Sequence, residues 1–283
     1  MRRGVARSDL VSLLLLVLVG IVLAVRWASG APVARSLTIH ILLLAVFGAV
    51  VAVLARFANA GWVPYARALG TVALMFTLYS TLGQAGFEAM PWTADAALAR
   101  ADQVLFFGTQ PALAVAPLVT RPALECFSFV YAFFIPYLYM SILVGCVGRP
   151  AGERAEFLNG FALLYAASFL GYLFAPARGP GIYLASAFGS GLTGGTFYRL
   201  VLSGVASTGG DLGAFPSLHV GATAYACFFD LRTNPLRGLL YLPFLPLVAI
   251  STIVLRYHYV VDLIVGLGLA MAAGAVARSW RRA

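Results

Sequence analysis

The sequence has no lysine in 283 residues, and only 10% of its positions are charged, where ordinary soluble domains carry roughly a quarter. With 61% hydrophobic residues and a mean hydropathy of +0.92 beside that shortage, a water-soluble globule is excluded and the bilayer becomes the chain's solvent. Acidic residues are scarce too, ten against nineteen basic ones, which leaves a net charge of +9. Every basic residue is arginine, and the arginines are scattered between apolar runs instead of forming the basic stripe that nucleic acid needs. The three cysteines, Cys126, Cys146 and Cys227, stand inside apolar runs without paired spacing, which excludes a disulfide framework and a thiolate metal site. Histidine is limited to His40, His219 and His258. With His40 expected near the cytoplasmic half of a different helix, a protein metal cage lacks ligands.

Apolar runs are what the chain has in abundance. A bilayer core takes about 20 residues of helix, and eight segments reach or approach that length. They are 10–27, 37–56, 67–84, 122–146, 155–175, 215–231, 237–255 and 259–278. The pattern predicts an all-α, polytopic membrane bundle of about eight transmembrane helices. Two lie in residues 1–66 and six form a core in residues 67–283. Arg2, Arg3 and Arg7 before a leucine-rich run, with Ala28-Ser29-Gly30-Ala31 after it, also fit a signal peptide, but we read a retained helix. An inside N-terminus puts twelve arginines on the cytoplasmic ends and seven outside, so both termini are expected in the cytoplasm, in a bacterial inner or plasma membrane. Two outer connections are long. Residues 85–121 carry Glu88, Trp92, Asp95, Arg100 and Asp102, and residues 176–214 contain ten glycines among Ile182, Tyr183, Phe188, Phe197 and Leu200. Both are expected to fold against the membrane interface.

Two of the histidines fall at outer ends of helices, inside polar clusters for which a plain anchor has no use. In Gly213-Ala214-Phe215-Pro216-Ser217-Leu218-His219, the proline suits a first helical turn and the serine a cap. In Arg256-Tyr257-His258-Tyr259-Val260-Val261-Asp262, the histidine and aspartate are four apart, so on a helix they share a face. Both clusters open helices that run inward, which sets the two imidazoles at one depth. Helix N-termini favour anions, and Arg178 and Arg256 stand close by, so a phosphate pocket is expected there. A neutral imidazole can attack phosphorus while a carboxylate fixes its tautomer, and a second imidazole can protonate the leaving oxygen. Each piece has a blander reading: the Pro-Ser pair as a cap alone, His258 with Asp262 as a structural pair, Arg178 as an interfacial anchor. Together, ionisable groups gathered at one rim of a membrane bundle point to function.

These residues resemble the type-2 phosphatidic acid phosphatase superfamily. Phe215-Pro216-Ser217-Leu218-His219 matches its Pro-Ser-x-His motif, His258-x-x-x-Asp262 matches its last motif, and Arg178-Gly179-Pro180 is similar to the end of its first. The likeness extends over residues 67–278. It implies that His258 is a nucleophile that becomes phosphorylated, His219 the general acid and Asp262 the orienting carboxylate. It further implies that Ser217, Arg178 and Arg256 bind the phosphate, and that neither metal nor cofactor takes part. The chain departs from the pattern at Gly171, where the family has lysine, at Gly179, which separates Arg178 from Pro180, and at Thr252, where an arginine usually stands. Arg256 stands two residues before the nucleophile instead, and that arrangement, with Tyr257-His258-Tyr259 and Gly213-Ala214-Phe215-Pro216-Ser217-Leu218-His219, is more similar to the branch that contains fungal inositol phosphorylceramide synthase and its bacterial relatives. Asp102-x-x-Leu105-Phe106-x-Gly108-x-x-Pro111 resembles an upstream loop of that branch. On that likeness Asp102 is a candidate contact to headgroup or acceptor.

The leading expectation is therefore a membrane phosphotransferase or phosphatase whose substrate is a phospholipid, sphingolipid or polyprenyl phosphate, with no obligate protein partner. Transfer to a lipid or polyol hydroxyl gives an inositol phosphorylceramide synthase-like activity, and transfer to water gives a lipid phosphate or pyrophosphate phosphatase. A transporter without chemistry is the reading from another class. It lacks the mid-membrane carboxylates and paired half-helices of ion-coupled transport.

Overall fold

The computed structural model describes residues 4–85, 92–208 and 213–282, and among these the chain is all-helical, with no strand. Arg2, Arg3, Glu88, Gly209 and Gly210 lie outside the described residues. Long helices fill the apolar runs: α1 (Arg7–Ala28), α2 (Ala34–Arg56), α3 (Val63–Ala85), α6 (Arg121–Val144), α7 (Ala151–Phe174), α10 (Leu218–Thr233) and α13 (Val260–Arg282). Shorter ones are α4 (Asp95–Leu105), α5 (Pro111–Val115), α8 (Pro180–Tyr183), α9 (Thr196–Thr208), α11 (Pro235–Tyr241) and α12 (Phe244–Val254). Six spans among the described residues are long and apolar enough to cross a membrane: α1, α2, α6, α7, the α11–α12 rod and α13. The remaining two expected segments are helical as α3 and α10. With 16 residues, α10 is about 24 Å long, shorter than a bilayer core.

The bundle is organised around α7, whose Phe157, Phe161, Leu164, Phe169 and Leu173 are buried under α1, α3, α10 and α13. Aliphatic side chains on the outer faces, such as Leu14, Ile21 and Val46, stay exposed, as an apolar solvent permits. The helices α10 and α13 cross closely because Gly266 carries no side chain: a Cβ there would lie 2.3 Å from the Ser217 carbonyl oxygen. Since α10 begins with one histidine and α13 follows the other, this crossing fixes the distance between them. Away from the histidines the bundle is pinned by two carboxylates. Asp230 holds Arg149 and Arg237, and Glu156 holds Arg232 and Arg281.

The two long connections are structured. The first carries α4, packed on α13 and α8, and the second carries α9, packed on α6 and α3. An isolated bridge between Ala177 and Gly213 closes the second connection at its base. His40 corrects one expectation. It sits in the first half of α2, bonded through Nε2 to the mid-α1 carbonyl of Leu16 at 2.6 Å, and is fully buried at mid-depth. It is a core histidine held through one ring nitrogen, and its Nδ1 is buried with no partner among the described residues.

Candidate active site

Two helix starts meet at one end of the bundle. Ser217 is the N-cap of α10, with its Oγ accepting from the Val220 N–H. Its own N–H donates to the Asp262 carbonyl at 3.0 Å, which ties the two histidine clusters together through the backbone. On the other side α12 ends in a Schellman-type turn, in which the N–H groups of Tyr257 and His258 both point to the Thr252 carbonyl. That turn places Arg256 at φ +65°, a left-handed conformation that costs a non-glycine residue about 1–2 kcal/mol. The strain is offset where the turn is held from outside, by Gly181 N–H donating to the Arg256 carbonyl at 2.7 Å.

His258 precedes α13, so it does not share a helical face with Asp262 as the spacing alone predicts. Instead Asp262, in the first turn, reaches back to accept from the Tyr259 N–H at 2.8 Å, in the manner of a capping box. Its Oδ2 then lies 3.4 Å from His258 Nδ1. Both residues are buried, His258 at 2% and Asp262 at 0% exposure, so this pairing is shielded from water. The opposite nitrogen, His258 Nε2, is 3.3 Å from His219 Nδ1. The His219 ring packs between Tyr131 and Phe134, with centroids 4.5 and 4.4 Å away. Neither aromatic is marked out by the sequence, because the relevant helix, α6, reads as an ordinary apolar span.

A cavity of about 430 Å³ opens onto this pair. Its floor carries His219 and His258, its rim Arg178 and Arg256, and its walls are apolar or aromatic, including Tyr131, Ile182, Leu192 and Leu202. Arg178 is exposed, and no described residue is hydrogen-bonded or ion-paired to its guanidinium. Arg256 lies 3.8 Å from the Phe188 ring centroid and donates to the Ser190 carbonyl at 3.1 Å. Ser217, by contrast, is fully buried and does not line the cavity. It positions His219 as the helix cap.

Three carboxylates surround the site and hold its backbone. Asp95 accepts from the N–H groups of Arg178 and Gly179 and from the Tyr259 hydroxyl, all at 2.9–3.1 Å. Two helical turns further along the same face, Asp102 accepts from the N–H groups of Val260 and Val261 at 2.9 Å each. Glu125 does the same for Gly195, Phe197 and Tyr198 at the start of α9. Asp102, expected as a headgroup or acceptor contact, is 1% exposed and occupied as an N-terminal cap of α13. Burial pushes its carboxyl above the usual range, and the two N–H donors pull it part of the way back. The free amides expected at the α13 start are thus satisfied by Asp262 and Asp102, and the positive charge at the cavity is that of Arg178 and Arg256. Sequence reasoning missed Asp95 and Glu125. The signal for the first was present: two acids seven apart fall on one face of a helix.

Replacing Asp102 by alanine leaves two N–H groups at a buried helix start without acceptors, a loss of about 2 kcal/mol. The expected result is a lowered Tm for Asp102→Ala in detergent with Asp102→Asn falling between it and wild type. An unchanged Tm contradicts the capping role.

The departures from the family pattern have steric causes. A Cβ at Gly171 would lie 2.4 Å from Pro216 Cδ, so no lysine fits there. Gly179 has φ +81°, and a Cβ there would lie 2.3 Å from the Tyr257 carbonyl oxygen. Thr252 is fully buried, its hydroxyl bonded to the Ala249 carbonyl at 2.8 Å, so an arginine there would point into the core. Arg256, four residues later, brings a guanidinium to the rim from the turn instead.

The profile of the PAP2 superfamily matches residues 96–276, from the first turn of α4 through most of α13. No curated protein and no solved structure matches the chain. The profile match spans well over half of the sequence and contains both histidine clusters, and the chain belongs to the PAP2 superfamily. Membership supports a phosphatase- or phosphotransferase-type function on lipids. The match begins at α4, so α3, expected from residue 67 within the resemblance, lies outside it, and it extends to the superfamily as a whole without a branch.

Proposed function

We propose that the protein transfers a phosphoryl or phospho-headgroup unit from a lipid through a covalent phosphohistidine on His258. The observation that carries this reading is the 3.3 Å contact between His258 Nε2 and His219 Nδ1 with a buried carboxylate behind the first ring. A proton on His258 Nδ1, toward Asp262, leaves the Nε2 lone pair free to attack phosphorus. As the N–P bond forms and the P–O bond breaks, His219 protonates the departing oxygen, and Asp262 stabilises the imidazolium. The acceptor hydroxyl then returns its proton to His219 and attacks phosphorus, which releases His258. Arg178 and Arg256 hold the phosphate oxygens, and Ser217 holds the helix that carries His219. The reaction draws on no metal, so EDTA is expected to leave turnover unchanged.

The apolar walls supplied by Ile182, Leu192 and Leu202 support a lipid as donor and a second hydroxyl compound as acceptor, in the manner of inositol phosphorylceramide synthase. The arginine asymmetry supports an outward-facing site with both termini in the cytoplasm. Product analysis tests the acceptor: label moved intact onto a lipid or polyol hydroxyl supports transfer, and free phosphate alone makes the protein a lipid phosphatase. The acid role has its own test. His219→Asn should lower turnover of an alkyl phosphate ester by roughly 10²- to 10³-fold and that of a nitrophenyl ester by much less, because a weakly basic leaving oxygen needs no proton. Equal losses on the two esters contradict it.

A further inference from the structure

The opposite end of the bundle holds a second cavity, of about 490 Å³, where the starts of α1, α3 and α7 meet the end of α13. α13 has 23 residues, which puts this cavity about 34 Å from His258 along the helix. Arg7, Arg67, Arg154 and Arg281, each from a different helix, stand on its wall. Among the described residues Glu156 is the one carboxylate in that wall, shared between Arg232 and Arg281, and Glu153 just outside it lies 3.8 Å from Arg281. Asp9 pairs with Arg67 at 3.1 Å. Arg7 donates to the Trp280 carbonyl and Arg154 to the Arg149 carbonyl, neutral partners that leave both charges uncompensated. The Arg154 Nε is buried with no partner among the described residues. Each guanidinium offers five N–H donors, and the contacts named occupy only a minority of them.

We propose that this cavity binds the phosphate-bearing head group of an anionic phospholipid in the leaflet opposite the histidines. The excess of guanidinium groups calls for an anion, and planar N–H pairs match phosphate oxygens. The α1 surface below the cavity selects a lipid over free phosphate. From Arg7 one face of α1 continues through Leu10, Leu14, Val17 and Ile21, all exposed, at 47%, 59%, 42% and 55%. Spaced three or four apart, they form an apolar track for an acyl chain beneath a charged socket. The Trp280 ring, 5.5 Å from the Arg7 guanidinium, stands at the level where a head group meets hydrocarbon.

Thermal unfolding of the detergent-purified full chain tests this, with micelles doped with phosphatidylglycerol, micelles doped with phosphatidylcholine, and inorganic phosphate. Phosphatidylglycerol at ten times its Kd is expected to raise Tm by about 2–3 °C, while the other two leave it unmoved. Arg7→Gln combined with Arg154→Gln should raise the Kd for phosphatidylglycerol about tenfold, which cuts the shift at the same concentration to about a third, and Arg154→Gln alone, which removes one carbonyl contact, serves if the pair unfolds. Arg178→Gln, at the histidine end, should leave the effect intact. Equal shifts from both lipids, a full shift from inorganic phosphate, or loss of the shift only in Arg178→Gln overturns the proposal. The outcome is independent of any catalytic reading, since no step of turnover is measured.

Discussion

His258→Ala is expected to lower turnover by at least about 10⁴-fold, because the proposed nucleophile is gone and His219, the proposed acid, has nothing to assist. Position and burial make the substitution specific. The side chain is almost enclosed between Asp262 and His219, but the backbone around it is fixed by other residues. The Thr252 carbonyl, Asp102 and the Ser217–Asp262 bond hold the α12–α13 junction whatever stands at position 258. The variant should therefore keep the Tm and the detergent elution of wild type. Turnover within tenfold of wild type in a folded His258→Ala protein contradicts the proposed nucleophile.

Asp262→Asn should cost roughly 10³-fold with little effect on folding. An asparagine keeps one acceptor oxygen for the Tyr259 N–H, so the capping contact at 2.8 Å survives. The same oxygen faces His258 Nδ1, as Oδ2 does in the wild type, and the amide nitrogen takes the place of Oδ1, so what the substitution removes is the negative charge behind the ring. The proposed imidazolium then loses the carboxylate that stabilises it. The loss should appear in the rate of phosphoenzyme formation, with KM changed little, since Arg178 and Arg256, the proposed phosphate ligands, are untouched. A purely structural role for Asp262 predicts the reverse: a lowered Tm and near-normal turnover of the molecules that remain folded.

The two histidine clusters were legible because their chemistry is local. A proline and serine before one histidine, and an aspartate four after the other, are short-range patterns, and the apolar runs fix which end of the bundle they share. The pairing of His258 with Asp262 was legible as a spacing but not as a conformation, since the chain approaches α13 through a strained turn at Arg256 that no periodicity signals. The roles of Asp95, Asp102 and Glu125 depend on contacts between segments far apart in the sequence, 158 residues for Asp102 to Val260. An acid in an interfacial segment reads equally well as a ligand contact or as a backbone cap, and only the fold decides. Gly171 shows the same limit from the other side. A missing lysine reads as a lost function until Pro216 is seen packed where its side chain would go.

The most direct test of the account is to trap the covalent intermediate. Purified protein is mixed with a lipid donor radiolabelled at phosphorus, denatured in alkali within one turnover, and digested for peptide mapping. The account predicts label that is stable in base and lost in acid, confined to the peptide containing His258, and discharged when acceptor is added before denaturation. An active preparation that carries no label at any time, or one labelled at another residue, contradicts the account.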